Sequence, residues 1–154
     1  MDLAQETELL GKVPMFAKLE PSRLKLLAFT SEMLSYRDGE VLFRAGDAAD
    51  CAYVIVAGKV DIVTELAEGE IVSSSLGPQQ LFGELALLNG ASRSATLRAS
   101  GSLQVLRISA DIFLDLLRNN ADMAMDVLRQ LADKLVRSHH HVEALQAELQ
   151  RRPG

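Results

Sequence analysis

Apolar residues in the first part of the chain recur at helical intervals: Leu9, Leu10, Val13, Met15, Phe16 and Leu19, then Leu24, Leu26, Leu27 and Phe29. Steps of three and four predict helices over residues 1–34. The Lys12-Val13-Pro14 break separates two of them, and Glu20-Pro21-Ser22 opens the second, because the fixed φ of proline suits a first helical turn. From 35 to 108 the texture changes to short β-type runs: 40–44, 52–57, 60–66, 70–74, 94–99 and 103–108. Glycines 39, 46, 58, 69, 77, 83, 90 and 101 punctuate them at intervals of six to twelve residues, the spacing of an antiparallel roll or barrel. Glu68-Gly69 between Val63 and Ile71 predicts a hairpin tip.

Residues 109–152 return to helical periodicity. Ser109 is placed to cap a helix over 110–118, and a second helix follows Asn119-Asn120 over 121–150. Along it Ala124, Leu128, Leu131, Leu135, Ser138, Val142, Leu145 and Leu149 alternate steps of four and three. That is the repeat of a coiled-coil seam rather than the wider face of a surface helix. The pattern as a whole predicts a mainly-β α+β fold: an antiparallel, jelly-roll-like β-roll of about eight strands between N-terminal and C-terminal helices.

Composition narrows the functional classes. At 154 residues, 48% hydrophobic and 24% charged, the chain fits one soluble domain with its own core. A net charge of −5, with no cluster of Lys and Arg, argues against a nucleic-acid surface. Apolar runs are broken by charges long before the ~18 residues needed to cross a bilayer, and the start MDLAQETELLGK is no signal peptide. The single Cys51 cannot form an internal disulfide, so a cytoplasmic setting is expected, with Cys51 as a small core residue beside the AYVIV run.

The richest chemistry lies in FGELALLNGASRSATLRA, residues 82–99. Gly83 permits close backbone approach, Glu84 offers an acceptor to sugar hydroxyls, Arg93 a fixed fork of donors to a phosphate, and Ser94 a hydroxyl. Leu85, Ala86, Leu87 and Leu88 favour a short helix stopped by Asn89-Gly90, whose first amides point toward an anion. Nothing near this stretch pairs a nucleophile with a base, clusters metal ligands or pairs two acids. The expectation is therefore a binding site and not an enzyme.

The pattern F-G-E-[aliphatic]-[AS]-L-[aliphatic], a turn, then R-x-A-[TS], resembles the phosphate-binding cassette of the cyclic nucleotide-binding domain family. Phe82 to Leu88, Arg93, Ala95 and Thr96 fit it, Ser94 follows the form of bacterial catabolite activators, and Ser92 stands where many members have proline. The Gly46-Asp47 pair and the run 53–60 are similar to the strands before that cassette, so the resemblance spans roughly 13–138. It implies a cassette over 82–96 in which Arg93 and Ser94 take a cyclic phosphate and Gly83 and Glu84 the ribose. Phe82, Leu85, Ala86, Leu87, Ala95 and Val72 would supply cassette backbone and apolar wall. Cyclic AMP is favoured over cyclic GMP as the ligand.

In the same relatives the last helix covers the purine, which places Ser138 at a hydroxyl contact and His139 next to it. As the only polar residue of the seam, Ser138 is singled out independently, since such residues often set register. His139, His140 and His141 point about 100° apart around a helix, so no metal site is expected. The seam implies a homodimer through 121–150. The chain shows no helix-turn-helix or other effector after it, so its output is expected to pass through an unknown partner. Two alternatives stay open: a module of the same fold that kept the roll and lost the ligand, and a regulatory fragment of a channel or transporter.

Overall fold

A computed structural model describes residues 1–151; Arg152, the expected end of the helical tail, lies outside the described residues. The chain begins with α1 (Leu3–Gly11), a 3-10 turn (Pro14–Phe16) and α2 (Pro21–Thr30). The roll follows as β1 (Glu32–Tyr36), β2 (Val41–Phe43), β3 (Cys51–Leu66), β4 (Gly69–Leu76), β5 (Leu81–Phe82), α3 (Glu84–Asn89) and β6 (Thr96–Ser109). It ends with α4 (Ala110–Asn119) and α5 (Ala121–Arg151).

Six strands thus carry the eight or so that were expected, because β3 and β6 are long and bent. The runs 52–57 and 60–66 are one strand through Gly58, and β6 runs continuously through Gly101. Gly58 has φ 99°, and a Cβ there would strike the Ser102 carbonyl oxygen, so the bulge admits only glycine. Ser94 and Ala95 are not in a strand; they bend into β6, which starts at Thr96. All pairings are antiparallel, in the order β1-β6-β3-β4, with β2 beside β6 and β5 beside β3.

β3 is buried on both faces at its start, and its side chains alternate between two cores. Cys51, Tyr53 and Ile55 point into the roll with Phe82, Leu103 and Val105. Ala52 and Val54 point the other way, with Leu106 and Ile108, onto Leu10, Phe16, Leu27, Phe113 and Met123 of the helices. Phe16 and Phe113 are fully buried there. Burying one such side chain contributes about 1.5–3 kcal/mol.

The C-terminal helices differ from expectation in two ways. Ser109 occupies the cap position of α4, but its hydroxyl makes no capping bond; the first amide of the helix, that of Ala110, donates to the Asp50 carbonyl at 2.9 Å. That ties the start of α4 to the start of β3. In α5 only Met123 and Val127 are buried, with Leu131 half-buried on the helical core and Lys18 paired to Asp126 at 3.1 Å. From 132 to 151 every residue is exposed. The expected seam splits accordingly: Leu131 packs on the helical core and Ala124 is half-buried, whereas Leu128, Leu135, Val142, Leu145 and Leu149 are 47–71% exposed.

Candidate functional site

The cassette is built where β5 ends. Phe82 pairs with Tyr53 of β3, and the chain then turns at Gly83, φ 83°, directly into α3. A Cβ on Gly83 would lie 2.7 Å from Arg93 Nη1, so glycine is required both for the turn and for the arginine beneath it. α3 runs one residue past the expected core at each end and stops at Gly90, whose amide donates to the Ala86 carbonyl. The following turn is held by the loop before β3. Ser92 bridges to Ala48, the Gly46 amide donates to the Arg93 carbonyl and the Arg93 amide to the Asp47 carbonyl, both at 2.8 Å. These bonds pin the turn that many members stiffen with proline. Thr96 is buried, and its hydroxyl accepts from the Ala45 amide at 3.0 Å.

Arg93 is only 4% exposed. Its Nη1 donates to the Gly83 carbonyl at 2.7 Å and its Nη2 to the Cys51 carbonyl at 2.5 Å, with Cys51 Sγ 3.7 Å away. Its Cζ lies 4.1 Å from the centroid of the Phe43 ring. Its Nε is buried with no hydrogen-bond partner. Buried polar groups are normally satisfied, so an orphan donor on a cation marks a position that an incoming acceptor can complete.

Around Arg93 lies a cavity of about 330 Å³. Phe82, Gly83, Glu84, Leu85, Ala86, Arg93, Ser94 and Ala95 all line it, and the strands add Phe43, Ile62, Leu76, Leu81 and Leu97. A mostly apolar wall with a few polar groups at one end suits a small amphipathic ligand. Two expected wall residues lie elsewhere. Leu87 is turned beneath α3 into the helical core. Val72 is 48% exposed: a register shift between Ile62 and Val63 sets it opposite Val63, on the face of the sheet away from the cavity-lining Ile62. The strand residues were missed because cross-strand placement, and not local spacing, brings them together.

Ser138 and His139 do not line the cavity. Both sit on the exposed length of α5, and His139 Nε2 pairs with Glu143 at 2.9 Å. Lys134, one turn earlier, is near enough to influence Glu84. Burial raises the Glu84 carboxyl above its ordinary pKa, while its own backbone amide, Lys134 and Arg93 pull it part of the way back. Burial likewise raises the Cys51 thiol, so it stays protonated at neutral pH.

The cyclic nucleotide-binding domain profile matches residues 33–120, from β1 through α4 and including every cassette residue. The chain belongs to that family. Among its relatives is a cAMP-dependent protein kinase regulatory subunit of Blastocladiella emersonii, 36% identical over 105 residues, which are 68% of this chain and 26% of that protein. The chain thus spans about a quarter to a third of the length of the first curated relatives it matches. Among solved structures, the sensor domain of the transcriptional regulator DNR from Pseudomonas aeruginosa superposes with a TM-score of 0.82 at 25% identity, covering 92% of this chain and 93% of that one. A cyclic nucleotide-binding-like protein from Brucella abortus is 38% identical, with a TM-score of 0.66 over 75% of this chain and 99% of its own. No helix of the described residues is long and apolar enough to cross a membrane.

Proposed function

We propose that this domain is a cyclic AMP sensor, without catalytic activity, acting in the cytoplasm. The observation that carries this reading is a buried arginine with one unpartnered donor at the polar end of an apolar cavity, beside the half-buried Glu84 carboxylate. Arg93 and Ser94 take the cyclic phosphate through charge-assisted bonds. Glu84 accepts from the ribose 2′-hydroxyl, and Gly83 admits the sugar. Phe82, Leu85, Ala86 and Ala95, with the strand residues, face the base. Cyclic AMP is preferred over cyclic GMP because Ser138 suits an adenine contact and because the relative described above is named for cAMP.

Output runs through α5. Lys134 already influences Glu84, and Ser138 and His139 follow one turn on, so a small swing of the helix brings them toward the purine. A ligand moves a protein only by binding one arrangement more tightly than another, and residues 132–151 of α5 are exposed throughout, with little packing to resist a shift. The exposed stripe of Leu135, Val142, Leu145 and Leu149 supports a homodimer formed in parallel along that helix.

Isothermal titration of nucleotide-stripped protein with cyclic AMP and cyclic GMP in parallel, with Arg93→Ala as the control, tests the reading. Tight binding of cyclic AMP that Arg93→Ala weakens severely, to an affinity still measurable at high ligand concentration, is the expected result. Absence of heat with both ligands would assign the chain to the alternative, a ligand-free dimerisation module of the same fold.

A further inference from the structure

We infer that Phe43 is a positioning residue of this site: its ring holds the Arg93 guanidinium in the plane from which it meets the ligand. The inference deepens the proposed function and rests on it. Nη1 and Nη2 are tied at their edges to the Gly83 and Cys51 carbonyls, at 2.7 and 2.5 Å. Two edge bonds fix two atoms but leave the plane free to tilt about the line between them. The Phe43 ring, 4.1 Å from Cζ, closes that freedom by covering one face.

Phe43 is itself held. Its ring stacks on Tyr53 with centroids 6.1 Å apart, and Tyr53 stacks on Phe82 at 5.1 Å. Phe82 precedes Gly83, whose carbonyl is one of the two ties on the arginine. The ring that supports the cation and the carbonyl that anchors it therefore belong to one stack, contributed by β2, β3 and β5.

The choice of an aromatic support has a chemical consequence. Among the described residues no carboxylate forms an ion pair with Arg93. A carboxylate would steady the guanidinium but cancel the charge that an anion reads. Two neutral carbonyls and the negative face of a ring steady it while leaving that charge available, and Phe43 and Arg93 line the same cavity.

The test uses the full chain with Phe43→Leu and Phe43→Tyr, titrated with cyclic AMP, each also combined with Arg93→Ala. Phe43→Leu is expected to weaken binding roughly 3- to 30-fold, the range that a partly desolvated cation–aromatic contact supports. Phe43→Tyr keeps the ring and restores affinity, and Phe43→Leu has no further effect once Arg93 is alanine. Unchanged affinity in Phe43→Leu, equal loss in Phe43→Tyr, or an equal loss in the Arg93→Ala background overturns the inference. Should Phe43→Leu fail to fold, Phe43→Met removes the ring at similar volume and is judged by the same outcomes. The Arg93 Nε–H signal of ligand-free wild-type protein is an independent readout, expected upfield from the ring current, and an unshifted signal overturns the inference whatever the titration shows. A wild-type chain that binds neither cyclic nucleotide while showing the shifted signal would remove the sensor reading and leave the stack standing.

Discussion

Glu84 sits where burial opposes its charge while the proposed ligand uses it. Its carboxyl is raised above the ordinary range by desolvation, so ionising it in the ligand-free fold costs stability. That stability is fully present below the unfolded carboxyl value of about 4.3 and is lost as pH rises through the higher folded value. Glu84→Gln is therefore expected to melt above wild type at pH 7 and level with it near pH 4, while binding cyclic AMP more weakly; thermal melts across that range with a parallel titration check both. Cys51 lies at the other end of the same arginine. With 1% exposure and a thiol raised by burial, it should resist iodoacetamide in native protein and react only after denaturation, which intact-mass measurement reads directly.

At the scale of elements, β3 and α5 show two kinds of dependence on context. Gly58 lets β3 bulge past Ser102, and Gly58→Ala is expected to lower stability by about 1–3 kcal/mol in denaturant unfolding, from left-handed backbone strain plus the clash. The hydrophobic texture of runs 52–57 and 60–66 was legible, but their fusion into one strand was not, because a glycine between apolar runs reads equally as a turn or a bulge. The α5 seam was legible as a repeat. What local spacing could not reveal is that Leu131 is shared with the domain while Leu128 stays exposed. Met123 and Val127, outside the a/d series, are buried because the 3-10 turn and α4 approach that side. Ser109 teaches the same lesson: the cap position was readable, yet its hydroxyl makes no capping bond, and the first amide of the helix is held by the carbonyl of Asp50, distant in sequence.

For the whole molecule, the free length of α5 is the part through which binding could be read. Residues 132–151 span about 30 Å at 1.5 Å per residue and touch little of the domain in a single chain. Hydrogen exchange with and without cyclic AMP should change over 109–145; an unchanged pattern there would separate binding from the helices. Sedimentation should find a dimer that Leu135→Glu with Val142→Glu converts to monomer, since charges in a two-stranded seam are desolvated without partners. The same charges on a helix that stayed solvated in the native assembly would leave the mass unchanged.

By itself, the sequence determined what depends on neighbours along the chain. The helices at both ends, the β texture between them, the cassette from Phe82 to Thr96 and the heptad of the tail all follow from period, glycine placement and residue chemistry within a few positions. Tertiary structure decided what depends on strands meeting across the roll: the removal of Val72 from the cavity by a register shift, the turning of Leu87 into the helical core, and the recruitment of Ile62, Leu76 and Leu97. It also decided that Arg93 lies on Phe43, fifty residues away, because only the pairing of β2 and β3 with β6 brings that ring under the cassette. Side-chain period survives in a sequence, whereas register and bulges are settled by the packing of a closed roll.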